Sequence, residues 1–472
     1  MLRNSGSWAD RVGQTEPTRA PFKVIVIGAG MAGMVAARML HDSGCAVTVL
    51  EARERLGGRI WTDQRLGAPC DLGASWVHGA DNNPLADWCG ALGIGLAVTS
   101  EETRFVFANG QFRAEGEVLA RAWRSRLYAN RAIQRHSARV QRELAAGRIP
   151  QVSLADALEP LLTSRRLRPL DQRVLAWRVS MAEGVQGAPA DQLDLREWFP
   201  KEVSMVNALP RGGYSQLIND AAQGLAIRLN EPVECISHDN SGVTVLTADN
   251  RYRTDVALIT VPLALLKTGK VRFDPALPPT KSEAIARIGY GGDGSLNKLV
   301  LRFPYVFWAE NRNRFLALLD EPTRRGIFTS WISLWPVVQQ PILMSFTDGY
   351  TGARFDRHGT EEEVLQQGMS TLRRMFGPTV PDPVDYIFTR WLSDPWAMGS
   401  YSYPAVGNRS EDRVIYAEPV NERLYFAGEA THLTHYGTVH AALESGEKAA
   451  KRIAATHLQL PTTAFTPPWH SH

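Results

Sequence analysis

The sequence predicts an α/β fold with a parallel sheet near its N-terminal end, and three features of residues 23–62 predict it. Val24, Ile25, Val26 and Ile27 form an apolar run of buried-strand length. Gly28, Gly30 and Gly33 follow at the spacing G-x-G-x-x-G, and a helical pattern continues over residues 31–43. A second apolar strand, residues 46–50, ends at Glu51.

Strand, glycines, helix, strand and acid in this order specify a dinucleotide site. Gly28 permits the tight turn, Gly30 lets a pyrophosphate approach the backbone, and Gly33 lets the helix lie close on the strand. The N–H groups of the first helical turn face the phosphates, and the Glu51 carboxylate is placed for ribose hydroxyls.

The residues after Glu51 read E-A-R-x-x-x-G-G-R, with Arg53, Gly57, Gly58 and Arg59. The two glycines permit a second close approach, and Arg59 supplies a charge-assisted contact to the same pyrophosphate. A simple NAD fold has no use for this second clamp. The segment resembles the N-terminal fingerprint of the flavin-containing amine oxidases, a family that binds FAD and includes monoamine oxidases, polyamine oxidases, L-amino-acid oxidases and lysine-specific histone demethylases.

A chain of 472 residues has room for about two to three domain-sized units. With 44% hydrophobic and 21% charged residues it has an ordinary globular balance. A formal net charge of +3 is too small to argue for nucleic acid. Cys45, Cys70, Cys89 and Cys235 are widely spaced with no C-x-x-C pair, so they read as free thiols of a reducing compartment. The expectation is a cytoplasmic protein, monomer or homodimer, with no nucleic-acid or membrane partner. No apolar run reaches the ~20 residues of a membrane span. Residues 1–21 are read as a disordered leader, and residues 459–472 as a tail without an anchor.

Further along, D-L-G-A-S-W-V-H-G over residues 71–79 is glycine-punctuated, which lets backbone lie against an aromatic cofactor. A helical stretch follows. Leu119, Trp123, Leu127, Val140 and Leu144 are expected on one side, with Arg124, Arg131, Arg135 and Arg142 on a solvated face. Residues 227–229, 233–237, 243–246 and 256–261 read as short strands divided by turns.

Residues 294–308 read G-S-L-N-K-L-V-L-R-F-P-Y-V-F-W. Alternation sets Lys298, Val300 and Arg302 on one strand face and Leu299, Leu301 and Phe303 on the other. Taken alone, Lys298 reads as a sheet-edge charge. The family carries a lysine in this same setting, bridged through water to flavin N5. The resemblance therefore implies that Lys298 positions that water and supports reoxidation by O2.

Near the C-terminus, L-Y-F-A-G-E-A-T over residues 424–431 is followed by the helical run opened by Thr438, Val439 and His440. A helix N-terminus there stabilises negative charge on a reduced flavin. With the N-terminal fingerprint, this segment extends the resemblance over about residues 22–456. It implies an α/β architecture: a Rossmann-like FAD-binding domain (residues 22–92, 205–290 and 412–458) interleaved with an α+β substrate-binding domain (residues 93–204 and 291–411).

Carried over residue by residue, the resemblance implies FAD contacts at Gly28, Gly30, Ala32, Gly33, Glu51, Ala52, Arg53, Gly58, Arg59, Gly73, Ala74, Ser75, Trp76, Val233, Trp391, Gly428, Glu429, Thr438 and Val439. Lys298, Tyr401 and Thr438 are the implied catalytic residues, and His78, Glu183 and Trp76 the implied substrate contacts. Monoamine oxidases bind flavin through a cysteine where this chain has Ser400, so noncovalent FAD is expected. They also present two tyrosines before the flavin, whereas this chain has Tyr401 and Thr438. That pair is similar to spermine oxidases, plant intracellular polyamine oxidases and histone demethylases, and His78 stands where spermine-type enzymes have a histidine. Plant enzymes carry an acid where this chain has Glu183, which would meet a cationic substrate.

The implied reaction oxidises an amine C–N bond to an imine by hydride transfer to flavin N5, with O2 reoxidising the flavin and releasing hydrogen peroxide. A polyamine is the favoured substrate. A monoamine, a carboxylate-bearing amine, or an inactive flavin-binding interaction protein stay open. His432, His435 and His440 crowd together, but no carboxylate or cysteine is close in sequence to complete a metal site, and none is expected.

Overall fold

The computed structural model describes residues 21–99, 105–108, 111–197, 206–308 and 315–461. The expected leader and tail lie almost wholly outside the described residues.

Five parallel strands form the first sheet, in the order Ala226–Arg228, Ala46–Leu50, Lys23–Ile27, Val256–Ile259 and Leu424–Phe426. Val24 stands opposite Val47 on one side and Val256 on the other. Such a central strand is buried on both faces, which explains its unbroken apolar run. Helices Met31–Asp42 and Val439–His457 cover one face and share its core. Two glycines make this packing possible. A Cβ on Gly33 would lie 2.0 Å from the Gly28 carbonyl oxygen, and one on Gly446 would lie 2.3 Å from the Ala32 carbonyl oxygen. Against the other face lies a four-stranded sheet of Arg251–Thr254, Gly242–Thr247, Val233–Asp239 and Arg272–Asp274.

A seven-stranded sheet forms the second body. It runs Asp385–Phe388, Asn297–Arg302, Ile342–Thr347, Ile327–Ser333, Phe315–Leu318, Phe105–Ala108 and Gln111–Ala114. Strand Asn297–Arg302 is interior, antiparallel to both neighbours. This corrects the sheet-edge reading of Lys298, which is only 4% exposed. The alternation holds: Leu299, Leu301 and Phe303 enter one core, and Val300 enters another. All strands of the first sheet come from residues 22–92, 205–290 and 412–458, and all seven of the second from residues 93–204 and 291–411. A three-stranded sheet of Val77–His78, Asn207–Pro210 and Leu96–Thr99 straddles the two sets.

The arginine-rich stretch is helix Trp123–Ala145, resting on Leu154–Leu162 and Pro169–Gln186. Its buried side differs from the one expected. Ser125, Ala129, Ala132, Ile133 and Val140 face inward, while Trp123 and Leu144 are exposed and Leu119 belongs to the preceding helix Glu115–Arg121. Val140 alone is shared with the expected side; small residues occupy the rest of the buried face beside Ile133. The four cysteines are free, with Cys45, Cys70 and Cys89 buried.

Candidate active site

At the end of strand Lys23–Ile27, Gly28 turns the chain with φ +105, and helix Met31–Asp42 starts at Gly30 without a capping side chain. Its first-turn N–H groups therefore point outward as an anion site. A Cβ on Gly30 would meet only the Gly57 carbonyl oxygen, at 3.8 Å, and one on Gly58 only the Gly30 Cα, at 3.7 Å. The two glycine segments thus face each other across open room. Glu51 is held from behind: Ala29 N–H donates to its Oε2 (2.8 Å) and Arg53 N–H to its Oε1 (2.9 Å). Asn230 and Glu231 donate their N–H groups to the carbonyls of Arg53 and Glu51, so the chain leading to Val233 runs beside the Glu51–Ala52 turn. The Arg53 guanidinium is engaged elsewhere, in a two-pronged ion pair with Asp394 at 2.7 and 2.6 Å. This pair ties the dinucleotide motif to the loop after Trp391 and leaves the backbone of Arg53 as its part toward a cofactor.

Arg59 reaches Glu429 at 2.8 Å and the Ser400 carbonyl at 3.2 Å. Glu429 also accepts from Ser402 N–H (3.1 Å), Ser402 Oγ (2.7 Å) and Gly437 N–H (2.7 Å). Burial works to raise this carboxyl, but Arg59, Ser402 and Arg413 outweigh it and keep it below the ordinary glutamate range. Gly428 sits at φ +129, where a β-carbon is disfavoured. It gives its N–H to Ser445 Oγ. Ser400 exchanges hydrogen bonds with the backbone N–H and carbonyl of Leu296, both at 2.9 Å.

The Lys298 ammonium spends its three protons on the segment 71–75. It donates to the Asp71 carbonyl (2.8 Å), the Gly73 carbonyl (2.5 Å) and Ser75 Oγ (2.5 Å). The Trp76 ring lies 5.6 Å from Nζ. Trp391 donates its indole N–H to the Leu72 carbonyl (3.2 Å), and a Cβ on Gly73 would meet its ring at 3.3 Å. Lys298, Gly73, Ala74, Ser75, Trp76 and Trp391 are thus gathered by one turn of chain. Burial lowers the lysine to about 8, with Asp71 and then Cys70 opposing the shift.

Tyr401 and Thr438 are joined through Gly437, whose Cβ would touch the Tyr401 ring at 3.3 Å. The Tyr401 hydroxyl donates to the Gly184 carbonyl. Thr438 caps helix Val439–His457, accepting from Ala441 N–H at 3.2 Å and donating to the His435 carbonyl at 2.6 Å. His78 is exposed, with Nδ1 against Asn207 Oδ1 at 2.9 Å; Nδ1 donates there, since a side-chain amide oxygen only accepts, and Nε2 is left as an acceptor.

Glu183 differs from its expected role. It is 3% exposed, and its oxygens take Arg325 at 3.0 and 3.1 Å and Ala190 N–H at 3.0 Å. Burial, then the nearby Glu159, raise it above the ordinary range against the pull of Arg325. It is an internal acid behind Tyr401, and an ammonium contact would require Arg325 to leave. Sequence reasoning missed Arg325 because the two residues lie far apart in the chain. It also gave no role to Asp71, whose only sequence signal was an acid at the head of a glycine-punctuated segment.

The histidine cluster also needs a correction, because Glu444 supplies the carboxylate that seemed to be lacking. Ligand atoms of His432, His435 and Glu444 lie within 4.8 Å of one another. His432 Nδ1, however, accepts N–H from Thr434 (3.2 Å) and His435 (3.0 Å). The proton therefore resides on Nε2 and is given to Glu444 at 2.8 Å. Metal ligation through Nε2 would put a proton on Nδ1 facing two donors, so this arrangement favours a hydrogen bond over a metal.

The donor set fits a flavin dinucleotide: an uncapped helix N-terminus, facing glycines, a ribose-side acid and a buried lysine beside two tryptophans. Among the described residues no helix is long and apolar enough to cross a membrane.

Residues 31–454 match the family model of flavin-containing amine oxidoreductases. Polyamine oxidase 4 of Oryza sativa subsp. japonica is 36% identical over 444 residues, covering 91% of this chain and 88% of the relative. Lysine-specific histone demethylase 2 of Homo sapiens is 34% identical over 455 residues, covering 92% of this chain but 53% of its own length. The solved structure of cyclohexylamine oxidase from Brevibacterium oxydans IH-35A superimposes with a TM-score of 0.73 at 23% identity, over 93% of this chain and 100% of that one, a likeness of fold. The chain belongs to the flavin-containing amine oxidoreductase family.

Proposed function

We propose that the protein is an oxidase of small amines, most closely of the polyamine type, with noncovalently held FAD. The observation that carries this reading is the buried Lys298 ammonium against the segment 71–75, between Trp76 and Trp391. Bound there, flavin supplies a two-electron acceptor for hydride from the amine α-carbon and, once reduced, a donor to O2 that yields hydrogen peroxide.

The chain's own residues do the rest. The N-terminus of helix Met31–Asp42 and Arg59 would hold the pyrophosphate, and Glu51 the ribose. Ser400 offers a hydroxyl, not a thiol, where covalent attachment would occur. Trp76, Trp391 and Tyr401 exclude water, which favours the neutral, reactive form of the amine. Lys298 orients the water needed near the reacting atoms by releasing one of its three present acceptors. The helix opened by Thr438 aims its positive end at the site. The imine product is hydrolysed by water.

Polyamine is favoured by the two-way coverage of the rice relative, by Thr438 in place of a second tyrosine, and by the free Nε2 of His78 as an ammonium acceptor. Glu183 no longer supports it. The test is peroxide release across spermine, spermidine, an aromatic monoamine, an acidic amine and a methyl-lysine peptide. Preference for the first two supports the reading. Preference for the peptide or a monoamine changes the substrate, and no peroxide from any of them overturns the oxidase. Acid precipitation should leave the flavin in solution; a yellow pellet would contradict noncovalent binding.

A further inference from the structure

Asp71 is the acid nearest to Lys298 in electrostatic effect, yet the two do not form a direct ion pair. The aspartate carbonyl takes a Lys298 proton at 2.8 Å, while its carboxylate turns the other way. There it accepts from Thr62 Oγ1 at 2.6 Å and from Tyr214 N–H at 3.1 and 3.3 Å. Thr62 in turn accepts from Ser215 N–H at 3.1 Å. Ser75 closes the loop: its hydroxyl accepts from Lys298 and donates to the Asp71 carbonyl at 3.2 Å. One residue thus pins the segment 71–75 from both sides. The lysine's three acceptors sit on its near side, and the glycine turn before Tyr214 sits on its far side. Gly213 is at φ +88, and a Cβ there would clash with Thr62 and approach Asp71 Oδ1 at 2.9 Å, so the turn is shaped to bring the Tyr214 N–H onto this carboxylate.

We propose that Asp71 is the positioning residue and counter-charge of Lys298, fixing where the ammonium stands and keeping it protonated in a dry site. This rests on the amine-oxidase reading of the site. Removing either charge leaves the other buried without compensation. Around the pair, the Cys70 thiol is pushed up to about 12 by burial and by Asp71, burial raises the Tyr214 hydroxyl well above its ordinary value, the Trp76 ring does not titrate, and Asp63, which also acts on Cys70, is ion-paired with Arg65 at 2.9 Å. Burial raises Asp71 to about 6, opposed by Thr62, Lys298 and Tyr214, and lowers Lys298 to about 8. At neutral pH the two are therefore oppositely charged, each favouring the charged form of the other.

The sign of the linkage gives a test independent of turnover. Between about 8 and the ordinary lysine value of 10.5, the unfolded chain holds a proton that native Lys298 has lost, so stability rises with pH over that window. Denaturant midpoints of the full chain as purified, measured against pH, isolate this rise as the difference between the natural protein and Lys298→Met. In Asp71→Asn the amide oxygen still accepts from Thr62 and Tyr214, but the charge is gone. The Lys298-dependent rise should then begin at lower pH, by about one to three units. The alkaline limb of flavin reoxidation should move the same way. If Asp71→Asn does not fold, Asp71→Ser, which removes the charge and leaves room for water in its place, should shift the rise in the same direction. A rise that stays in place in whichever of these variants folds would overturn the proposal. Absence of amine oxidation in the natural protein would sink the proposed function while leaving this titration interpretable.

Discussion

Lys281 and Lys298 stand in the same physical state. They are 3% and 4% exposed, and each gives its ammonium to three oxygens. Burial lowers them to about 7 and about 8. Their acceptors differ. Lys281 takes the carbonyls of Ile415, Tyr416 and Glu418 at 2.7, 2.7 and 2.5 Å, the closing turn of helix Asp412–Ala417, with its ammonium 4.3 Å from the Phe426 ring centroid. It is a helix cap made by a side chain from another helix. Lys298 takes a glycine-punctuated turn that runs on into Trp76, receives the Trp391 indole N–H, and is bonded to the Arg59 carbonyl of the second glycine segment. A strongly shifted, buried lysine is therefore not a functional signal by itself; what its acceptors belong to decides.

The sharpest break between the two is Lys298→Met against Lys281→Met. The first should keep flavin and slow turnover by about 10²-fold or more, the scale of losing a positioned catalytic group, with stopped-flow traces placing the loss in reoxidation. The second should leave turnover per flavin unchanged and cost about 1–3 kcal/mol of stability through unpaired carbonyls, read from denaturant midpoints. Equal effects on turnover would erase the distinction.

A pH series sharpens the structural side. Native Lys281 loses its proton near 7, while the unfolded chain keeps it to 10.5, so stability gains from this residue as pH rises through that interval. Lys281→Met should flatten that portion of the curve. An unchanged slope would mean that its ammonium is not desolvated.

Glu183→Gln gives a smaller effect. Because the carboxylate serves Arg325 and Ala190, Michaelis constants for spermine and for a monoamine should shift together, and thermal stability should fall. A loss confined to the polyamine would restore Glu183 as a substrate contact. Smallest of all, Arg131→Gln and Arg135→Gln should leave the kinetics unaltered, since both face solvent. An effect limited to acidic amines would point to a steering role instead.

Local pattern made much of the fold legible. The strand at residues 46–50 and the helix start at Met31 sit where the glycines and the apolar runs put them, because turn geometry and strand burial are decided within a few residues. The alternation around Lys298 also holds. What sequence could not show was partnership beyond local spacing: Asp394 on Arg53, Arg325 on Glu183 and Glu444 on His432. Each changes the electrostatic meaning of a residue already singled out. The helix Trp123–Ala145 misled for a related reason. Three of its five buried residues are alanine or serine, which a search for large apolar residues passes over.

The central claim is that Lys298 and its turn serve an amine-reduced, O2-reoxidised flavin. The most direct measurement is anaerobic mixing with spermine followed by air, monitored by flavin absorbance, on the natural protein and Lys298→Met. The account predicts bleaching of both by the amine, rapid recovery of colour with peroxide in the natural protein, and recovery slowed by about 10²-fold or more in the variant. Failure of any amine in the panel to bleach the flavin, or recovery of Lys298→Met at the natural rate, would contradict it.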